Sequence, residues 1–147
     1  RDTYLMRLLD RPIIWIVIFG FLTAFVWEAL QMPFYAMDHL SHRQMTMICA
    51  VASIADAGLM ALAYGLAARV GSPGVSNPMP LLIYMGAGLA ATALVEQVVV
   101  SASWGWRYSE AMPLIPGTTI GIVPLLMWIM VPLVTLWLAR RMTRRAA

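Results

Sequence analysis

Three carboxylates fall in stretches otherwise suited to a lipid bilayer: Glu28, Asp56 and Glu96. The other acidic residues are Asp2, Asp10, Asp38 and Glu110, and no Arg, Lys or His shares the apolar runs with the three. An acidic side chain deep in a membrane costs several kcal/mol unless it is paired, solvated or neutralised. Such residues therefore face a bundle interior and often mark function. Two chemistries suit them. One is acid–base catalysis on an apolar substrate, with one carboxylic acid donating a proton and another carboxylate accepting one. The other is recognition of the polar part of a lipid or cofactor.

A second group surrounds the carboxylates in sequence. Trp27, Gln31 and Tyr35 follow the first apolar run, and Trp104, Trp106, Arg107 and Tyr108 follow the third. Aromatic rings of this kind favour the membrane interface, and their π faces can also stabilise a carbocation. Arg107 is a candidate counter-ion for Glu96 or Glu28, a pairing that would fix the loop. The cluster thus reads either as an aromatic belt with a structural ion pair, or as a lid over a binding pocket. Catalytic candidates are Glu28, Asp56 and Glu96. Substrate or lipid-binding candidates are Trp27, Gln31, Tyr35, Trp104, Trp106, Arg107 and Tyr108. His39 and His42 lie three apart beside Asp38 and are weak candidates for a divalent metal, since two loop histidines form no ligand motif. The cofactor, if any, stays unknown at this level.

The elements that must position these groups are apolar helices. The chain has 147 residues, is 61% hydrophobic and only 12% charged. Its mean hydropathy is +0.77. A soluble domain would carry about twice that charge fraction. The chain suits one integral membrane domain, an all-α four-helix transmembrane bundle, with no room for a sizeable soluble domain. Spans are expected at about 13–31, 44–68, 79–100 and 119–139, each long enough to cross a ~30 Å hydrocarbon layer. Pro12 suits the start of the first span. Ser41 and Gln44 have capping-box spacing before the second. Asn77 followed by Pro78 suits the start of the third. The segment RVGSPGVSNP between the second and third reads as a loop. Pro124 and Pro132 both fall in the expected fourth span, as a bent packing helix or a gating hinge.

Helical spacing turns the three carboxylates inward. Gly20, Ala24, Glu28 and Gln31 share one face; Cys49, Ser53, Asp56 and Ala63 share another; Gly88, Thr92 and Glu96 share a third. Small and polar residues at intervals of three and four mark helix contacts in lipid. Glu28 and Glu96 should lie roughly 5–8 Å below one boundary and Asp56 on the order of 15 Å down, at 1.5 Å per residue. One pocket with Asp56 at its floor is the expected arrangement.

Charge orients the bundle. All positive charge is on ten Arg. The termini and the loop at 69–78 hold Arg1, Arg7, Arg11, Arg69, Arg140, Arg141, Arg144 and Arg145, against Arg43 and Arg107 in the other two loops. This bias places both termini in the cytoplasm and the pocket toward the outer leaflet of a bacterial inner membrane. The pI near 9.5 therefore reflects a tail at a membrane face, not a nucleic-acid groove. Cys49 is the single cysteine, so it supports no internal disulfide and no thiolate cluster. The twelve Met are scattered without a Met-x-x-Met repeat, and read as packing rather than copper handling. The chain begins with Arg, so it is expected to lack its start, and its first apolar stretch is too long for a cleaved signal peptide.

The segments WEALQMPFY (27–35) and WRYSEAMPLIPGTTIGIVPLL (106–126) carry a resemblance. They resemble a group of small bacterial four-span membrane proteins with a W-E-x-x-Q-M-P-x-Y element after the first span and a W-x-Y-x-x-x-M-P-x-x-P-G element before the fourth. The matching positions are Trp27, Glu28, Gln31, Met32, Pro33, Tyr35, Trp106, Tyr108, Met112, Pro113, Pro116 and Gly117. That resemblance implies the four-span fold and no activity. A looser likeness joins the chain to small membrane enzymes of isoprenoid chemistry, such as sterol isomerases and the carotenoid-cyclase type, but their His and Glu pattern is not matched here. The expectations are then three. The first is a non-catalytic accessory subunit, or a lipid- or cofactor-binding bundle, with membrane lipids and other membrane subunits as partners. The second is an intramembrane acid–base enzyme on an isoprenoid or other lipid. The third is proton-coupled transport, disfavoured because the acids cluster toward one side.

Overall fold

The computed structural model describes residues 11–103 and 105–146, with the backbone alone for 144–146. Arg1, Arg7 and Trp104 lie outside the described residues. Four helices make up the fold: α1 (Pro12–Gln31), α2 (His42–Ala68), α3 (Pro78–Ser101) and α4 (Ile122–Ala146). A single 3₁₀ turn, Met32–Phe34, extends α1. The described residues contain no strand, only isolated bridges between loops. All four helices are long and apolar enough to cross a membrane.

Local chemistry explains most of the helix starts. Pro12 occupies the first turn of α1, where its missing N–H has no helical partner to lose. The Ser41–Gln44 capping box closes: the Gln44 N–H donates to Ser41 Oγ at 3.3 Å, and the Ser41 N–H donates to Gln44 Oε1 at 2.9 Å. Asn77 does precede α3, but its side chain makes no cap. Its amide instead donates to the Ser72 carbonyl at 3.4 Å, tying the loop.

The fourth span differs from expectation. Its helix begins at Ile122, not near residue 119, because the Ile122 N–H is taken by the Pro113 carbonyl at 2.8 Å, in the loop closed by the Leu114–Gly121 bridge. Pro124 therefore sits in the first turn, where N–H groups have no helical acceptor, and it breaks nothing. Pro132 alone lies inside the helix.

The helices pack in a ring, with α1 against α2 and α4, and α3 against α2 and α4. Each is antiparallel to its neighbours in chain order. The core joins Ile16 and Ala24, Met60, Ala63 and Ala67, Tyr84, and Met127, Trp128, Val131, Leu136 and Ala139. Small residues let α1 and α2 approach closely. A side chain built at Gly20 would lie 3.4 Å from the Ala57 Cα. The buried hydroxyl of Thr135 meets Thr23 at 2.8 Å, linking α1 to α4. Leu22, Val26, Leu30, Leu62, Leu82, Leu94 and Trp137 are exposed on the outside of the bundle, as a lipid-facing surface requires.

Candidate functional site

The expected inward faces are the buried faces. Gly20, Ala24 and Gln31 of α1, Cys49, Ser53 and Ala63 of α2, and Gly88, Thr92 and Glu96 of α3 are all buried. Glu28 and Asp56 are half-buried on the same stripes. The three carboxylates, from three different helices, line one cavity of about 690 Å³. That is the size of a small-molecule site, which commonly spans about 300–1,000 Å³. Leu59, Val95, Pro124, Met127 and Trp128 supply apolar wall, and Gln31, Tyr35, His39, Thr92, Trp106 and Arg107 complete the polar side.

Each carboxylate has a different support. Glu28 Oε1 accepts from the Gln31 amide at 2.8 Å, and Gln31 Oε1 in turn accepts from the Trp27 indole N–H at 3.0 Å. The chain Trp27–Gln31–Glu28 runs along one turn of helix end, so the spacing of three and four residues builds it directly. Glu96 Oε2 accepts from the Tyr108 hydroxyl and from the Trp106 indole N–H, the latter at 3.4 Å. Asp56 accepts no hydrogen bond from the described side chains, and its carboxylate faces the cavity.

Loop pairing brings Trp106 and Tyr108 to Glu96. Tyr35 and Tyr108 form an antiparallel bridge, and their rings meet edge to face at 5.5 Å between centroids. Ala36 N–H donates to the Arg107 carbonyl at 2.9 Å, and Ser109 N–H donates to the Phe34 carbonyl at 3.0 Å. Ser109 Oγ also donates to the Pro33 carbonyl at 2.8 Å. These four contacts close one end of the bundle and hold both loops over the carboxylates. Burial, and then the nearby charge of Glu96, push the Tyr35 hydroxyl above the ordinary tyrosine range. Burial and the bond to Glu96 do the same to Tyr108. The Tyr108 phenol thus stays a donor to Glu96.

Several sequence expectations change here. Arg107 is exposed, and no ion pair joins it to Glu28 or Glu96 among the described residues. Neutral donors from Tyr108, Trp106 and Gln31 take that role, since they satisfy the carboxylates without bringing a second charge out of water. Arg107 stays at the cavity rim. Trp27 and Tyr108 stand behind the cavity wall and hold Gln31 and Glu96 in place. His39 reaches the cavity but His42 opens α2 instead, and both are exposed. Among the described residues no group of three His, Cys, Asp or Glu side chains is placed to hold a metal ion.

Trp128 was not foreseen. It is 2% exposed, sits in the core and also forms part of the cavity wall. Its position depends on Gly88: any side chain at Gly88 would collide with the six-membered ring of Trp128. No protein family, curated protein or solved structure matches the chain, so the geometry alone carries the functional reading.

Proposed function

We propose that the chain is a small polytopic component of a bacterial inner-membrane assembly that holds an amphiphilic lipid or lipid-like cofactor between its helices without transforming it. Asp56 is the observation that carries this reading. A carboxyl group half-buried in a span, facing a largely apolar cavity and without a described protein partner, leaves its hydrogen-bonding capacity to whatever enters. A ligand with a polar head and an apolar body offsets the cost of placing that group in a span. Glu28 and Glu96, each held by neutral donors, suit fixed acceptors for such a head group. The charge bias favours a cavity toward the outer leaflet with both termini cytoplasmic. Among the described residues, Arg11, Arg69, Arg140 and Arg141 sit at the end opposite the cavity mouth, against Arg43 and Arg107 beside it.

A second reading draws on the same pair of contrasts. Glu96 is anchored and Asp56 is not, which suits a fixed base facing a mobile acid in an enzyme acting on an isoprenoid or other lipid.

The test is gentle extraction of the native protein, followed by mass spectrometry of every protein and lipid that migrates with it. One enriched lipid or isoprenoid, retained unchanged and lost in a folded Asp56→Asn variant, is the expected result. Conversion of that molecule on incubation, abolished by Asp56→Asn or Glu96→Gln, would replace binding with catalysis. Wild-type protein carrying neither a partner subunit nor an enriched lipid would sink the proposal.

A further inference from the structure

The opposite end of the bundle carries a second cavity, of about 720 Å³, between the loop after α2 and the last turns of α4. Its walls are apolar side chains, Leu81, Leu133 and Trp137, capped by Arg140 and Arg141. No acidic side chain lines it. The acidic residues among those described, Glu28, Asp38, Asp56, Glu96 and Glu110, lie in the other half of the bundle or near its middle. The two guanidinium groups therefore have no carboxylate partner among the described residues.

Both are held in fixed positions. Arg140 Nη1 donates to the Pro73 carbonyl at 2.8 Å. Gly74 makes room for it, since a side chain there would collide with the guanidinium. Arg141 lies over the Trp137 ring, 5.3 Å from its centroid. Neither arrangement uses more than a fraction of the five N–H donors that each Arg carries. Trp137 is 57% exposed and Leu133 39% exposed, so the apolar wall continues onto the outside of the bundle. The apolar run of α4 stops at Ala139, so both Arg follow it directly, a position suited to headgroup depth.

We propose that this groove binds an anionic phospholipid, with its phosphate on Arg140 and Arg141 and one acyl chain along Leu133 and Trp137. Charge complementarity selects the headgroup, and continuity of the apolar wall with the lipid-facing surface selects a lipid over a free phosphate. The site is separate from the carboxylate cavity, so neither proposal depends on the other.

The experiment uses the full chain, delipidated in detergent and then offered dioleoylphosphatidylglycerol or dioleoylphosphatidylcholine at equal mole fraction. Native mass spectrometry counts the lipid retained. Wild type is expected to keep one phosphatidylglycerol in preference to phosphatidylcholine. Arg141→Gln should lower that preference about fivefold and the Arg140→Gln/Arg141→Gln pair about thirtyfold. Gly74→Ala, which keeps both charges but displaces Arg140, should also weaken it. Equal retention of the two lipids by wild type overturns the proposal, and this comparison decides even where a variant fails to fold. Displacement of the lipid by millimolar inorganic phosphate overturns it as well, because the acyl chain would then contribute nothing.

Discussion

The Tyr108 hydroxyl donates to the Glu96 carboxylate and accepts from the Gly121 N–H at 3.1 Å. One loop oxygen thus joins the end of α3 to the turn that starts α4, and fixes a carboxylate that faces the cavity. Tyr108→Phe leaves the Gly121 N–H and one Glu96 oxygen each short of a partner. The expected loss is about 1 kcal/mol of stability, a fall of roughly 2–8 °C in Tm. Thermal unfolding in detergent, followed by tryptophan fluorescence, reads it. An unchanged Tm would mean that the contact holds nothing.

Stability should also depend on pH at the alkaline end. In the folded protein the Tyr35 and Tyr108 hydroxyls are raised above the ordinary value of 10.0, for Tyr35 by burial and then the charge of Glu96, for Tyr108 by burial and then its bond to Glu96. Above about pH 10 the unfolded chain releases these protons while the folded chain keeps them. The unfolded state then binds fewer protons, so stability falls as pH rises. Unfolding midpoints taken from pH 8 to 11.5 should fall above pH 10, and less steeply in the Tyr35→Phe/Tyr108→Phe variant. The same slope in both proteins would show that these two phenols do not carry the effect.

Much of this architecture was legible in the sequence. Helices α1, α2 and α3 fall within two residues of the expected spans, because long apolar runs bounded by Pro12, Ser41 and Asn77 leave little choice of ends. The inward turn of Glu28, Asp56 and Glu96 follows from the spacing of small residues on each helix. What was not legible depends on pairing across the chain. Tyr35 and Tyr108 are far apart in sequence, and nothing local dictates their bridge. The same bridge brings Tyr108, rather than Arg107, to Glu96. Trp128 gave no signal because α4 is apolar over most of its length, so no polar spacing singles out the face that meets the cavity.

Gly88 and Gly20 provide the sharpest test of how the cavity wall is set. Both lie on buried small-residue faces. A Cβ at Gly20 meets Ala57 and Met60 at 3.4 Å, ordinary contact. A Cβ at Gly88 collides with the Trp128 ring, which is 2% exposed and packed in the core. The open space beside that ring is the cavity, so relief of the clash pushes the indole inward. Gly88→Ala is therefore expected to cost about 1–3 kcal/mol, the usual penalty for overpacking, and to reduce retention of the cavity ligand. Gly20→Ala should leave stability unchanged or raise it by up to about 1 kcal/mol, from helix propensity, and leave retention intact. Paired unfolding and lipid-retention measurements on the two variants separate the positions. Equal effects on both would mean that Trp128 is not held in place by Gly88.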